Sequence, residues 1–584
     1  MPHSIAITGS GIICAIGNDK TTVAASLQNH KSGIGTMRYL RSVHQELPVG
    51  EVKLSNDELK ERLGISLDME ISRTSLLGAY ALRQAIDEAG LSITQLNGKR
   101  VTFISGTTVG GMDVTERYYH SMIEGNQEAL KYITQHDCGS NTEEIANILG
   151  LKCEVTTIST ACSSALNAII LGARMLLAHE TDCVLAGGTE SLSVFHLNGF
   201  NSLMILDHDP CRPFDATRQG LNLGEGAAYV VLERGDDIKR EVSIQAYIRG
   251  YGNRCDAFHQ TATSPNGEGA YLAMKDAIEM GRIAVDDIDY INAHGTGTPD
   301  NDRSESEAIK RLFGSTVPCI SSTKSYTGHT TSASGSIETV ISMIAMQHHF
   351  VPANISWKMQ DENCITPQST TEHKPLNNVL CNSFGFGGND ASLLLSASEV
   401  EMEDIAMKES RILAEYEVTH PEELKELKEM ISPAESRRMG KLMKASLLTA
   451  LKCLQKAGDM VPDAIIIATK FGMLENGEKI LDSLHTNGEE SISPTLFMQS
   501  THNTLAGLMA IRFKSHGYNI TYSQGDDSLD WAIRDAKKLL AENKAKTVLV
   551  GLHDECPPNF REFHQALGLD VPPEIYSKSI LLTT

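Results

Sequence analysis

A chain of 584 residues, 41% apolar and 21% charged, is long enough for two to four core-bearing units and has the make-up of a soluble globular protein. Its net charge of -23 excludes nucleic acid as an expected partner, because phosphate binding needs clustered Lys and Arg. The 12 cysteines show neither CxxC pairs nor Cys/His ligand spacing, so no disulfide framework and no metal site are expected, and reduced thiols fit a cytoplasmic location.

The chain opens on Met1-Pro2-His3-Ser4 without a basic segment ahead of a long apolar stretch, so no signal peptide is expected. No run of 18 apolar residues occurs, so no membrane span is expected either. Ile5–Thr8, closed by Gly9 and Gly11, reads as a buried strand entering a turn. A helical period runs from Ser72 to Ala89, with Gly90 just past its end. The alternation continues with strand Val101–Gly106, helix Asn141–Leu149, strand Glu154–Ile158, helix Ser163–His179 and strand Cys183–Ala186. A second block runs from about Val242 to Ser396, with helices near Ala270–Glu279 and Ser304–Leu312 and another after His329. Strands alternating with helices predict an α/β layered fold around a buried sheet.

Residues 399–411 are highly charged and predict a linker. The remainder of the chain repeats its beginning. Gly517–Ile533 can be laid on Gly150–Ile169 so that Asp526 stands where Cys162 does. Cys162 to Ala186 and Asp526 to Val550 each span 24 positions, so the next strands coincide too. Ala464–Gly472 matches Val101–Gly110 in pattern, and the helix near Lys444–Ala457 matches the one near Leu77–Ala89. The last third is therefore a repeated half-domain.

Three segments carry the chemistry. In Thr160-Ala-Cys162-Ser-Ser a cysteine sits where a strand hands over to a helix, and a helix N-terminus favours thiolate there. A free cysteine is as often a small buried hydrophobe, so this segment alone decides nothing. Asn292-Ala-His294-Gly-Thr296-Gly-Thr298 places a histidine at a strand end before a glycine-rich turn. Lys324-Ser-Tyr-Thr-Gly328-His329 places a second at a helix start. One histidine is ordinary; two beside glycines, with a candidate nucleophile elsewhere, form a catalytic set.

With Asp209-Pro-Cys-Arg212-Pro-Phe-Asp215, Leu223-Gly-Glu225-Gly-Ala and Cys381-Asn-Ser-Phe384-Gly-Phe386-Gly-Gly, residues 3–397 resemble the β-ketoacyl synthases of the Cys-His-His branch. The resemblance implies a thiolase-like α/β/α/β/α fold of two related halves, with the repeat as a third half-like unit. The expected boundaries are 1–250, 251–398, a linker at 399–411, and 412–584. It implies decarboxylative condensation of an acyl thioester with malonyl-acyl carrier protein, in fatty-acid or polyketide (polyene included) synthesis. It assigns Cys162 as acyl acceptor, and His294 and His329, both neutral with Nε2–H, as donors to the enolate. The oxyanion falls to the N–H groups of Cys162 and Phe386, the latter also the gate between acyl and malonyl pockets. Lys324 resembles a structural lysine paired with a glutamate, here Glu305. Thr296, Thr298 and Val109 match substrate-binding positions. No bound cofactor is implied, since substrates ride on the phosphopantetheine of the carrier. A homodimer, or a heterodimer with a related subunit, is expected.

A thiolase is disfavoured, because its second cysteine has no counterpart at Phe384-Gly-Phe386-Gly. The alternative is a non-catalytic or weakly catalytic chain-length or assembly subunit, against which stands the retention of all three triad residues. The stretches Leu67–Glu70 and Leu203–Asp207 are acidic and apolar where carrier-docking members are basic. The family's dimer-contact segment reads Thr134-Gln-His-Asp137, while the repeat carries Ser493-Pro-Thr-Leu-Phe497. The repeat lacks a nucleophile at Asp526 and should need a covering surface, from its own chain or another protomer. Its removal after about residue 405 is expected to alter assembly and leave Cys162 chemistry measurable.

Overall fold

The computed structural model describes residues 3–490 and 492–584. Its strands in chain order are β1 (Ile5–Cys14), β2 (Val101–Gly106), β3 (Glu154–Ile158), β4 (Cys183–Glu190), β5 (Gly226–Arg234), β6 (Ala246–Cys255), β7 (Tyr290–Asn292) and β8 (Cys319–Ser321). After them come β9 (Phe350–Val351), β10 (Glu372–His373), β11 (Asn378–Gly385), β12 (Asn389–Ser396), β13 (Arg411–Val418), β14 (Ala464–Ala468), β15 (Asn519–Tyr522), β16 (Thr547–Glu555) and β17 (Ile575–Thr583). β9 and β10 pair with each other; the rest form one 15-stranded sheet, β13-β17-β16-β14-β15-β3-β2-β4-β5-β1-β6-β12-β11-β7-β8.

That order is a single pattern used three times. The first unit lies as β3-β2-β4-β5-β1, the second as β8-β7-β11-β12-β6, and the appended unit as β15-β14-β16-β17-β13. Each has two parallel pairings followed by two antiparallel ones. The expected two halves and third half-like unit are all present. The boundary expected at residue 250 falls inside β6, so the second unit begins no later than Ala246.

The joints between units follow from their edges. β1 pairs antiparallel with β6, joining the first two units. β15 pairs antiparallel with β3, Tyr522 opposite Ile158, joining the appended unit to the other edge of the first. There Ser159 N–H donates to the Thr521 carbonyl at 2.9 Å and Ser523 N–H to the Thr157 carbonyl at 3.0 Å. The bonds exchange equivalent positions of the two repeats, as a two-fold interface between identical subunits would. The appended unit is thus covered by its own chain.

Helix Arg73–Glu88 starts where the Ser72 side chain accepts from Ser75 N–H, and it lies close on β1. A Cβ at Gly9 or Gly11 would come within 2.2 Å of the Ala85 carbonyl oxygen or 1.9 Å of that of Ala81, so only glycine admits the helix. Helix Ser164–Leu177 is buried at every position. It is apolar over most of its surface, as a helix between layers must be. Its one charged side chain is Arg174, whose guanidinium meets Asp535, Glu542 (2.7 Å) and the Tyr518 hydroxyl (3.1 Å) of the appended unit. One apolar core runs through all three units, from Leu171 through Ile341 to Trp531 and Leu539. The charged 399–411 segment is docked: Met402 bridges His3, and Ile405 N–H donates to the Leu177 carbonyl at 2.8 Å. Among the described residues no helix is long and apolar enough to cross a membrane.

Candidate active site

Cys162 sits in a 3-10 turn, Ala161–Ser163, ahead of helix Ser164–Leu177. Ala161 has φ +52°, a left-handed conformation that costs a residue with a Cβ. Around it Thr160 N–H donates to Ser164 Oγ (2.9 Å), while Ser163 Oγ and Asn167 Nδ2 donate to Asn389 Oδ1 (2.7 and 2.8 Å). Ser383 Oγ, from β11, donates to the Cys162 carbonyl at 2.9 Å. The second unit thereby holds the nucleophile turn of the first.

His294 comes just after β7, and His329 precedes the turn Thr331–Ala333 that opens helix Ser334–His348. His329 Nε2 lies 3.0 Å from Cys162 Sγ, and its Nδ1 lies 2.9 Å from Ser334 Oγ. The His294 ring stands edge-on to it at 5.3 Å between centroids. His329 N–H donates to the Asn222 carbonyl at 2.7 Å, so the Leu223-Gly-Glu225 motif shapes the histidine loop. The sequence separates these residues widely; the fold gathers them.

Lys324 is fully buried and bonds the His294 carbonyl (2.6 Å), His294 Nδ1 (3.3 Å) and Glu338 Oε1 (2.5 Å). Its carboxylate partner is therefore Glu338, not Glu305 as expected. Glu305 instead accepts from the backbone N–H groups of His294 and Gly295 at 2.9 and 2.8 Å, and from Asn382. Glu338 could have been noticed as the lone carboxylate on the helix after His329, which has no Lys, Arg or Asp. Lysine donation to His294 Nδ1 leaves the ring proton on Nε2, facing the site.

Burial governs the electrostatics. It holds both histidines well below their ordinary range, with the Lys324 charge adding to the effect, so both are neutral. Burial pushes Glu338 and Glu305 each up to about 7. It also pushes the Cys162 thiol up to about 12, against the lowering pull of Lys324 and of the N–H groups of Phe386 and Cys162. Burial thus works against the thiolate that the helix terminus favours. Those two N–H groups both act on the sulfur. Cys162 Sγ and one nitrogen from each histidine lie within 4.8 Å of one another, a trio that would also bind a thiophilic metal.

Two cavities meet at Cys162, Phe200 and Phe386. One, about 370 Å³, is lined by His294, Thr296, Thr298 and His329 and opens past Leu203 and Ile205. Thr296 and Thr298 share a hydroxyl bond of 2.9 Å on its wall. The other, about 60 Å³, is lined by Val109, Met112 and His196 from the first unit and by Phe471, Leu474, Phe497 and His502 from the appended unit. The Thr134–Asp137 segment contributes His136 and Asp137 to this wall. Phe497 presses on helix Val194–Ser202 so closely that a Cβ at Gly199 would lie 2.1 Å from its ring. Asn503 Nδ2 donates to the Phe386 carbonyl at 2.7 Å, so the appended unit also holds the Phe386 loop. The sequence pointed to Phe497 through its resemblance to a dimer-contact segment; Asn503 and His502 gave no signal.

Fold and constellation define a class: thiolase-like condensing acyltransferases with one cysteine and two histidines. Residues 3–237 match the model of the β-ketoacyl synthase N-terminal domain, residues 245–358 that of the C-terminal domain, and residues 411–577 a second N-terminal-domain model. 3-oxoacyl-[acyl-carrier-protein] synthase 2 of Coxiella burnetii is 34% identical over 412 residues, 67% of this chain and 98% of the relative. Nodulation protein E of Rhizobium meliloti is 33% identical over 404 residues, 67% and 99% of the two chains. The solved ishigamide ketosynthase/chain length factor is 29% identical, with a TM-score of 0.64 over 68% of this chain and 100% of that one. The PfaC keto synthase-chain length factor, 17% identical, shares the fold across 100% of this chain and 78% of its own, with a TM-score of 0.80. The chain belongs to the β-ketoacyl synthase family.

Proposed function

We propose that this chain condenses an acyl thioester with malonyl-acyl carrier protein, releasing CO2, and that its appended unit replaces the partner subunit of the acyl pocket. The observation that carries the reading is Cys162 Sγ lying 3.0 Å from His329 Nε2 where the two cavities meet at Phe386.

In the first half-reaction the Cys162 sulfur attacks the acyl carbonyl and the carrier thiol leaves with the proton that Cys162 gives up. Negative charge gathered on the carbonyl oxygen is taken by the N–H groups of Cys162 and Phe386, fixed donors each worth about 3–4 kcal/mol in such sites. The acyl chain occupies the cavity shared with the appended unit. In the second half-reaction malonyl thioester enters past Thr296 and Thr298, whose hydroxyls contact the pantetheine arm. The C–C bond to the carboxylate breaks, CO2 leaves, and the enolate oxygen accepts from Nε2–H of His294 and His329. A neutral imidazole is the right donor here, since it stabilises the enolate without protonating it. The enolate carbon then attacks the Cys162 thioester, and the thiolate is expelled and reprotonated. Lys324, held by Glu338, fixes the His294 tautomer. The acyl carrier protein is the partner by analogy with the 3-oxoacyl-[acyl-carrier-protein] synthase relatives.

The test is incubation with acyl carriers of varied length and malonyl carrier, with mass analysis of the carrier and of the Cys162 peptide. An acylated Cys162 peptide and a β-ketoacyl carrier are expected. A chain that decarboxylates malonyl carrier without ever acylating Cys162 would favour the assembly-subunit reading instead.

A further inference from the structure

Far from Cys162, at the C-terminal end of its helix, three segments bring together His3, His179 and Asp404. His179 Nε2 lies 3.1 Å from Asp404 Oδ2, and His3 Nε2 lies 3.7 Å from the same oxygen. The three ligand atoms all fall within 4.8 Å of one another. Four-coordinate zinc with bonds of about 2.0–2.1 Å needs its ligand atoms about 3.3 Å apart, close to the two separations measured. The second ring nitrogen of His3 is also spoken for: Nδ1 lies 2.9 Å from Asp236 Oδ2. A carboxylate behind a histidine fixes its tautomer and frees the far nitrogen for a metal, a recurrent feature of zinc sites.

We propose that His3, His179 and Asp404 form a binding site for a divalent metal of the zinc class, with Asp236 orienting His3. Donors of two imidazoles and one carboxylate suit zinc better than calcium or magnesium, which prefer oxygen alone.

The backbone behind each ligand is fixed. His3 exchanges two backbone bonds of 2.9 Å with Met402, and Ile405, next to Asp404, donates to the Leu177 carbonyl at 2.8 Å. His179 takes a left-handed φ of +55° two residues after helix Ser164–Leu177. The negative end of that helix dipole faces the same corner and favours a cation. All three side chains remain partly open to solvent, which gives an ion its route in. The metal would clip the 399–411 segment, and with it the path to the appended unit, onto the helix that carries Cys162. Sequence spacing hid the site, because each ligand comes from a different segment.

The test uses full-length protein without a histidine tag, stripped by chelator, dialysed against limiting zinc and assayed for bound metal. The Cys162–His294–His329 trio is a competing site, so Cys162→Ala serves as the control. We expect one equivalent of zinc in wild type and in Cys162→Ala, and loss of it in His179→Ala and in Asp404→Asn. Zinc should raise the melting temperature of the first two proteins and leave that of the last two unchanged. Cobalt should give the visible bands of a four-coordinate site without the charge-transfer band of a thiolate. Retention of no metal, or loss with Cys162→Ala but not with His179→Ala, overturns the proposal.

Discussion

At Ala161–Ser163 and again at Gly525–Asp527 the backbone performs one manoeuvre: a left-handed residue, φ +52° or +53°, a single 3-10 turn, then a 14-residue helix. The local bonds repeat as well. Thr160 N–H donates to Ser164 Oγ at 2.9 Å, and Gln524 N–H donates to Ser528 Oγ at 2.8 Å. Yet Cys162 is 7% exposed and meets a histidine, whereas the Asp526 side chain is 90% exposed and meets Lys470. The difference lies in what covers the turn. Over Cys162 the second unit supplies β11, the Phe386 loop and His329; among the described residues nothing equivalent is packed over Asp526. Strain differs too: Ala161 carries a Cβ in a conformation that Gly525 adopts freely. A helix N-terminus is therefore only a position. Chemistry needs the neighbouring half.

The sharpest way to break this comparison is to move the nucleophile. Cys162→Ala should abolish condensation while the fold persists. Adding Asp526→Cys to it should restore nothing, because a thiol there has no histidine and no oxyanion pair. Product formation by the double variant, followed by mass spectrometry, would show that the turn alone suffices.

Almost as large an effect is expected from ending the chain near residue 405. Such a chain bares the β3 edge, and it leaves the buried Arg174 without Asp535 and Glu542, a loss of about 3–5 kcal/mol by itself. It also removes about two-fifths of the wall of the acyl cavity. Precipitation, or pairing of two chains through β3, is expected on size-exclusion chromatography, and acylation of Cys162 in whatever stays in solution tests whether its chemistry survives the cut. A stable, active monomer would mean that the appended unit is dispensable.

The histidines come next. His294→Ala and His329→Ala should each slow malonyl decarboxylation by about 10²–10³-fold. Acyl transfer to Cys162 should be reduced less, since the enolate forms only in the second half-reaction. Equal losses in both half-reactions, measured by single-turnover assays, would remove this division of labour.

A milder contrast concerns pH. With the Cys162 thiol near 12, its thiolate fraction rises about tenfold for each unit of pH from 7 to 10. Iodoacetamide labelling of Cys162 should climb throughout that range, whereas a cysteine placed at the exposed Asp526 position should level off near pH 9. A Cys162 plateau below pH 8 would mean that the helix terminus, not burial, sets its acidity.

Much of this was legible in the sequence because it is local. Turn residues, helix caps and alternating periods gave β2 and β3 to the residue, and equal spacing from Cys162 and from Asp526 gave the repeat. Glu338 was missed because a carboxylate on an apolar helix advertises burial but not a partner. The Thr134–Asp137 segment read as a departure from the family, and its role as a cavity wall emerged only once β15 was seen against β3. Interfaces between repeats depend on shape, which a one-dimensional pattern does not encode.

The smallest expected effect distinguishes two residues of the appended unit. Asn503 donates to the Phe386 carbonyl, and Gly387 approaches it so nearly that a Cβ there would lie 2.9 Å from Asn503 Nδ2. Phe386 supplies one N–H to the sulfur, so a loosened loop weakens the oxyanion pair rather than the nucleophile. Losing one such bond costs about 1 kcal/mol, which corresponds to about a fivefold change in rate. Asn503→Ala should therefore lower kcat several-fold with Cys162 still present and alkylated normally. Asp526→Ala, in the same unit but facing solvent, should change neither acylation nor turnover. Parallel kinetics of the two variants decide the point: if Asp526→Ala matches Asn503→Ala, the appended unit acts on the site through its overall stability, and the Asn503–Phe386 contact is not its route.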